Sequence, residues 1–77
     1  MPRVPISRRI VDDIRAQIRS GELKPGDPLP SVSALRELYN CSDTPVKTAI
    51  HDLQTLGLVE GHQGKANFVT AEAPGLA

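Results

Sequence analysis

Apolar residues recur every three or four positions in three stretches of this 77-residue chain, the spacing of amphipathic helices. Ile10, Val11, Ile14 and Ile18 predict a first helix over roughly residues 8–19. Val32, Leu35, Leu38 and Tyr39 predict the inner face of a second, over residues 32–39. Val46, Ala49, Ile50, Leu53 and Leu56 make the apolar stripe of a third, which Gly57 stops. Successive side chains turn by about 100°, so Thr44, Thr48, His51 and Thr55 fall on the side opposite that stripe, with Lys47 on the flank. Beyond Gly57 the pattern shortens to Leu58-Val59-Glu60 and Asn67-Phe68-Val69-Thr70, two short strands joined by the loop Gly61-His62-Gln63-Gly64-Lys65.

The breaks between these stretches carry their own signals. Residues 1–5 hold two prolines and no periodicity, so they read as a loose arm. Ser7 is placed to cap the first helix, and Ile6 with Val11 has the spacing of a hydrophobic staple. Ser20-Gly21 ends that helix. Glu22–Pro30 is a connector with three prolines, in which Pro25-Gly26 suits the centre of a type II turn. Pro28-Leu29-Pro30 must be extended, and Leu29 suits the edge of a sheet. Ser31 caps the second helix. Asn40 tolerates the left-handed backbone of a tight helix exit. The three-residue link Asn40-Cys41-Ser42 forces a sharp angle between neighbouring helices, the turn of a helix-turn-helix. Ser42 and Thr44 are both candidates to cap the third helix. The residue before a proline avoids α geometry, which favours Thr44. Residues 71–77 have the composition of a linker or tail. The expectation is one domain over residues 6–70, mainly α with a small β-wing: a three-helix winged helix-turn-helix.

A domain of this size buries only about 60% of its unfolded surface. Disulfides cannot supplement that core, because Cys41 is the only cysteine. A lone cysteine gives no metal framework either, and Cys41 reads as a small apolar residue beside a turn. No apolar run approaches the ~20 residues of a membrane span and no signal peptide opens the chain, so the cytoplasm is the default compartment. Net charge is zero, but residues 1–19 carry five arginines against Asp12 and Asp13, a net +3, and the remainder is −3. The basic end concentrates on Arg8 and Arg9 in the first helical turn, where cations oppose the helix dipole. A phosphate outside would turn that cost into a gain. Two solvated arginines remain the other reading.

The order of helix, Ser-Gly-Glu-Leu-Lys-Pro-Gly-Asp-Pro-Leu-Pro-Ser, helix-turn-helix, Leu-Gly-Leu-Val-Glu, Gln-Gly-Lys and Phe-Val resembles the N-terminal winged-helix domain of GntR-family bacterial transcription regulators. The match covers about residues 5–70 and is most specific at Ser20–Ser31 and Leu53–Val69. The resemblance implies that Ser33 and Arg36 lie near the phosphate backbone. It puts Asp43, Thr44, Lys47 and Thr48 on the recognition-helix face, and Gln63, Gly64 and Lys65 at a wing tip that reaches the minor groove. It also implies a homodimer on a palindromic double-stranded DNA operator, and a C-terminal domain that binds a small-molecule effector. No second domain fits within 77 residues, so the chain reads as an excised DNA-binding domain rather than a short full-length regulator. The family usually has arginine at the positions of Ser33, Asp43 and Lys47. Arginine forks onto guanine; lysine does so less rigidly and aspartate not at all. The departures imply a different operator and weak affinity from this domain alone. Asp43 itself reads as a helix-start residue, with acceptance from a cytosine amino group as the alternative.

Sequence-specific double-stranded DNA binding in a transcription regulator, in the role of a repressor, is the leading expectation. Phosphate contacts fall to Arg8, Arg9, Arg36 and Lys65, and base readout to Thr44, Lys47, Thr48 and His51. His51 also reads as a solvated residue of the outer face, and His62 as a loop residue. A winged-helix protein-interaction module with lost or weak DNA binding is the alternative, supported by the zero net charge and by Asp43. An enzyme is not indicated. Asp12-Asp13 beside Arg15 reads as ordinary surface pairing. The chain shows no nucleophile–base pair, no glycine loop ahead of a helix, and no need for a cofactor.

Overall fold

The computed structural model describes residues 4–61 and 66–77. Helix α1 spans Ile6–Ser20, α2 Val32–Tyr39, α3 Asp43–Thr55 and α4 Ala73–Leu76, with strands β1 Val59–Gly61 and β2 Asn67–Val69 between the last two helices. Three main helices and a two-stranded antiparallel hairpin make the expected winged helix-turn-helix. Its core is apolar throughout. Ile10, Val11, Ile14 and Ile18 of α1 meet Val46, Ala49, Ile50 and Leu53 of α3, with Leu35, Leu29, Leu58, Val59, Val69 and Ala73 closing the sides. No polar or charged residue among those described is buried.

Each junction follows local chemistry. Ser31 caps α2, its hydroxyl accepting from the Ala34 N–H at 3.1 Å. Asn40 leaves α2 at φ 51°, and the following N–H of Cys41 reaches back to Arg36 O at 3.0 Å. At the end of α3, the N–H groups of Gly57 and Leu58 donate to Gln54 O and Leu53 O, both at 3.0 Å. That double return requires the left-handed backbone of Gly57, φ 79°, and a Cβ there would also meet Leu76 Cδ1 at 3.2 Å. In the connector, Asp27 N–H closes the Pro25-Gly26 turn onto Lys24 O at 2.9 Å, with Gly26 at φ 88°.

The hairpin register pairs Val59 with Val69, Glu60 with Phe68 and Gly61 with Asn67. The connector lies along the other side of β2. Pro28 bridges Phe68, the Leu29 N–H donates to Asn67 O at 2.8 Å, and the Val69 N–H donates to Asp27 O at 2.9 Å. Leu29 thereby takes the edge position that its prolines allow, and its side chain is buried. Residues 71–77, linker-like in composition, turn into α4, which packs on α1 and buries Ala73 completely.

Several local expectations are corrected. α1 starts at Ile6 after an extended Pro5, so Ser7 lies inside the helix and caps nothing. Ser42, not Thr44, precedes α3, and it too makes no side-chain cap bond. Pro45 falls third in that helix, where the missing N–H has no intrahelical partner to lose and so costs no hydrogen bond. Leu38 and Leu56, assigned to inner faces, are 72% and 47% exposed. α2 is only two turns long and inserts Leu35, leaving Leu38 over the groove between α1 and α2. Leu56 follows the last helical residue of α3, so the helical register no longer carries it inward. Asp12 and Asp13 do not pair with Arg15. Asp12 faces Arg8 at 3.4 Å, and Asp13 accepts from the Tyr39 hydroxyl at 2.6 Å, tying α2 to α1.

Two outcomes follow from this packing. Leu53→Ala lowers stability by about 2–5 kcal/mol, whereas Leu38→Ala changes it by less than about 0.5 kcal/mol, as urea denaturation would read. Burial first, then the hydrogen bond and the charge of Asp13, push the Tyr39 phenol up to about 12, with Arg9 opposing. Its ordinary value is 10.0, so the stability it contributes is complete below that pH and is lost as pH rises toward about 12. Absorbance titration resolves it cleanly, because Tyr39 is the only tyrosine and tryptophan is absent. Asp13→Asn moves the midpoint down toward the ordinary value.

Candidate nucleic-acid interface

The buried stripe of α3 decides what its other side can do. Val46, Ala49 and Leu53 are fully enclosed, which turns Thr44, Lys47, Thr48 and His51 to the exterior. None of these four side chains makes a hydrogen bond or ion pair with another described residue. With Ser42 preceding the helix, the Thr44 hydroxyl is not spent on a cap. Thr55 differs: its hydroxyl donates to His51 O at 3.0 Å, so it serves its own helix.

The α2 residues reach the same end of α3. Ser33 and Arg36 line a shallow groove with Glu37, Asn40 and Cys41 beside the turn. Arg36 is not free there. Its Nε stands 2.9 Å from Asp43 Oδ1, across the turn between the two helices. Asp43 is the first residue of α3, where a carboxylate also complements the helix dipole. Its position as the first residue of α3 agrees with the helix-start reading of Asp43, and the ion pair adds a partner that spacing alone did not suggest.

Arg8 and Arg9 are adjacent in the chain but separate in space. Arg8 is exposed, faces Asp12, and lines a groove with Val11, Arg15, Asp52, Thr55 and Leu56 at the far end of α3. Arg9 lines the α1–α2 groove with Asp13, Leu38 and Tyr39. The two arginines therefore do not form one phosphate cradle. His62 and the expected wing-tip residues Gln63, Gly64 and Lys65 lie outside the described residues.

One element that pattern reading missed joins α3 to the hairpin. Gln54 Nε2 donates to Asn67 Oδ1 at 2.9 Å. A Cβ on Gly61 would lie 3.1 Å from both of those atoms, so the bridge crosses directly over the glycine. The glycine at the end of β1 was the available signal, since a residue without a Cβ permits close approach of another group. Among the described residues no group of His, Cys, Asp or Glu could hold a metal ion, and no helix is long and apolar enough to cross a membrane.

A short helix capped at the turn, a second helix with an outward polar face, and a hairpin braced against it define a winged helix-turn-helix of the kind that binds DNA. Residues 6–69 match the model of the gntR family of bacterial regulatory proteins, and the chain belongs to that family as its DNA-binding domain. It is 42% identical over 72 residues to the mannosyl-D-glycerate transport/metabolism system repressor MngR of Escherichia coli strain K12, covering 94% of this chain and 30% of that protein. The chain thus spans less than a third of the length of this curated relative. A transcriptional regulator from Oenococcus oeni shares the fold, with a TM-score of 0.90 at 22% identity, over 99% of this chain and 63% of that one. AraR(DBD), solved in complex with operator ORR3, superposes with a TM-score of 0.85 at 26% identity, over 90% of this chain and 83% of that one. The family is one of regulators, not of enzymes.

The bridge over Gly61 makes a direct prediction. Gly61→Ala pushes the Gln54 and Asn67 side chains apart by a few tenths of an ångström while the fold persists. The side-chain amide signals of both residues then move in NMR spectra, and Gln54→Ala moves the Asn67 signal likewise. Unmoved amides in Gly61→Ala would show that the bridge is not seated there.

Proposed function

We propose that the domain reads an operator in double-stranded DNA by laying α3 in the major groove, with the loop between β1 and β2 at the adjacent minor groove. One observation carries this reading: the exterior of α3 presents Thr44, Lys47, Thr48 and His51 with no described partner, on a helix whose other side is locked into the core. A major groove admits one helix, and hydroxyls and an amine match its donor and acceptor edges. The likeness to AraR(DBD), solved on an operator, supports the same use of the fold. Lys47 and Thr48 sit mid-face as base readers, with Thr44 and His51 at either end. Arg9, Ser33 and Lys65 supply backbone contacts, and Gln63 and Gly64 let the loop approach the sugar edges. Arg8 and Arg36 each face a carboxylate already and join the phosphate set only by leaving it.

In this reading the domain serves a cytoplasmic homodimeric repressor on a palindromic operator. A small-molecule effector binds a region beyond this domain. MngR and other relatives described as repressors support the sign of that control.

Selection from a randomised duplex pool, followed by titration of variants, tests the reading. Lys47→Ala costs about 1–3 kcal/mol and relaxes preference at the base pair it contacts. Lys65→Ala weakens all sequences alike. Neutralising ~4 phosphates gives a log–log salt slope near −3.6. A slope near zero, with a protein partner captured instead, would favour the protein-interaction reading that the paired Arg8 and Arg36 keep in view.

A further inference from the structure

We infer that Asp43 sets the sequence-independent part of DNA affinity by occupying the guanidinium of Arg36, an inference that rests on the operator reading above. The geometry is specific. Asp43 stands on the face that carries Lys47 one turn on, a spacing at which carboxylate and ammonium can meet. Among the described residues, its ion pair is nevertheless with Arg36 of α2, at 2.9 Å. Lys47 is left without an ion-pair partner among the described residues, and the charge of Arg36 is offset by the carboxylate.

Both side chains are 48% exposed, although Asp43 Oδ1 itself is enclosed and meets Arg36 as an ion pair without hydrogen-bond geometry, so the pair adds little to the stability of the fold. Its effect lies in what DNA meets. Attraction to any duplex scales with the number of cations that displace counterions from phosphates. Arg36, beside the groove of Ser33 and Asn40 at the α2–α3 turn, stands against Asp43, the first residue of α3. With Asp43 against it, that cation is cancelled for every sequence. Base reading by Lys47 and its neighbouring threonines is left intact, so a larger share of the binding depends on sequence. Asp43 is thus a specificity-setting residue that need touch no base.

The test uses a mixed-sequence duplex, so no knowledge of the operator is required. Binding of the 77-residue chain is followed across a salt series for wild type, Asp43→Asn, Asp43→Ser and Arg36→Ala/Asp43→Asn. Removing the carboxylate frees one cation, which steepens the log–log slope by about 0.9. A fourfold rise in salt then weakens Asp43→Asn about 3.5-fold more than wild type. The double variant returns to the wild-type slope. Asp43→Ser repeats the result with a residue suited to a helix start, and thermal melts confirm that each variant is folded. Equal slopes for wild type and both Asp43 variants overturn the inference. So does a double variant that keeps the steep slope, since the freed cation would not be Arg36. Absence of binding to the mixed duplex by every protein, wild type included, overturns this inference alone, since there is then no sequence-independent affinity to set; the operator reading falls only if the randomised-pool selection also retains no sequence.

Discussion

Everything at the surface of this domain depends on the contact between α1 and α3. Ile10, Ile14 and Ile18 on one helix and Val46, Ala49 and Leu53 on the other are enclosed to within a few per cent of their area. A helix held along one whole stripe cannot roll without exposing it, so its opposite stripe is fixed in direction as firmly as the core is fixed in composition. The polar face of α3 is therefore aimed by hydrophobic burial rather than by any polar contact of its own. The polar side chains on that face can stay without described partners because nothing in the fold relies on them.

The same economy explains the charges. A net charge of zero looks unpromising for a DNA-binding domain, and the basic N-terminal segment looks like the remedy. The structure distributes charge more finely. Arg8 is matched by Asp12 and Arg36 by Asp43, so two of the cations that composition offers are locally balanced. Lys47 keeps its charge in the middle of the exposed face. Among the described residues, the outward face of α3 thus carries one cation without an ion-pair partner, while Arg8 and Arg36 beside its two ends are matched.

Periodicity and punctuation made much of this legible from the chain. Repeats of three and four located all three main helices, Ser31 and Asn40 bounded α2, and Gly57 ended α3 in the left-handed conformation that a glycine permits. The outward set on α3 followed from rotation alone. What stayed hidden were choices made by distant neighbours. Leu38 has helical spacing, but a two-turn helix has room to bury only Leu35 fully. Thr44 precedes a proline, yet the helix starts a residue earlier, at Asp43, whose carboxylate finds Arg36 across the turn. The Gln54–Asn67 and Tyr39–Asp13 contacts join residues 13 and 26 positions apart, a separation at which no repeat speaks.

The strand-like run of the connector has a further effect. β2 is bonded to β1 on one side and to residues 27–29 on the other, so both its rims are taken. The new outer rim consists of Leu29 between two prolines, and the one N–H of that tripeptide is already given to Asn67. Proline has no amide hydrogen to offer, so a stray extended chain finds no free donor on that tripeptide. An open strand edge invites pairing between copies of a chain, and this rim, with a proline on either side of Leu29, is blunted against it.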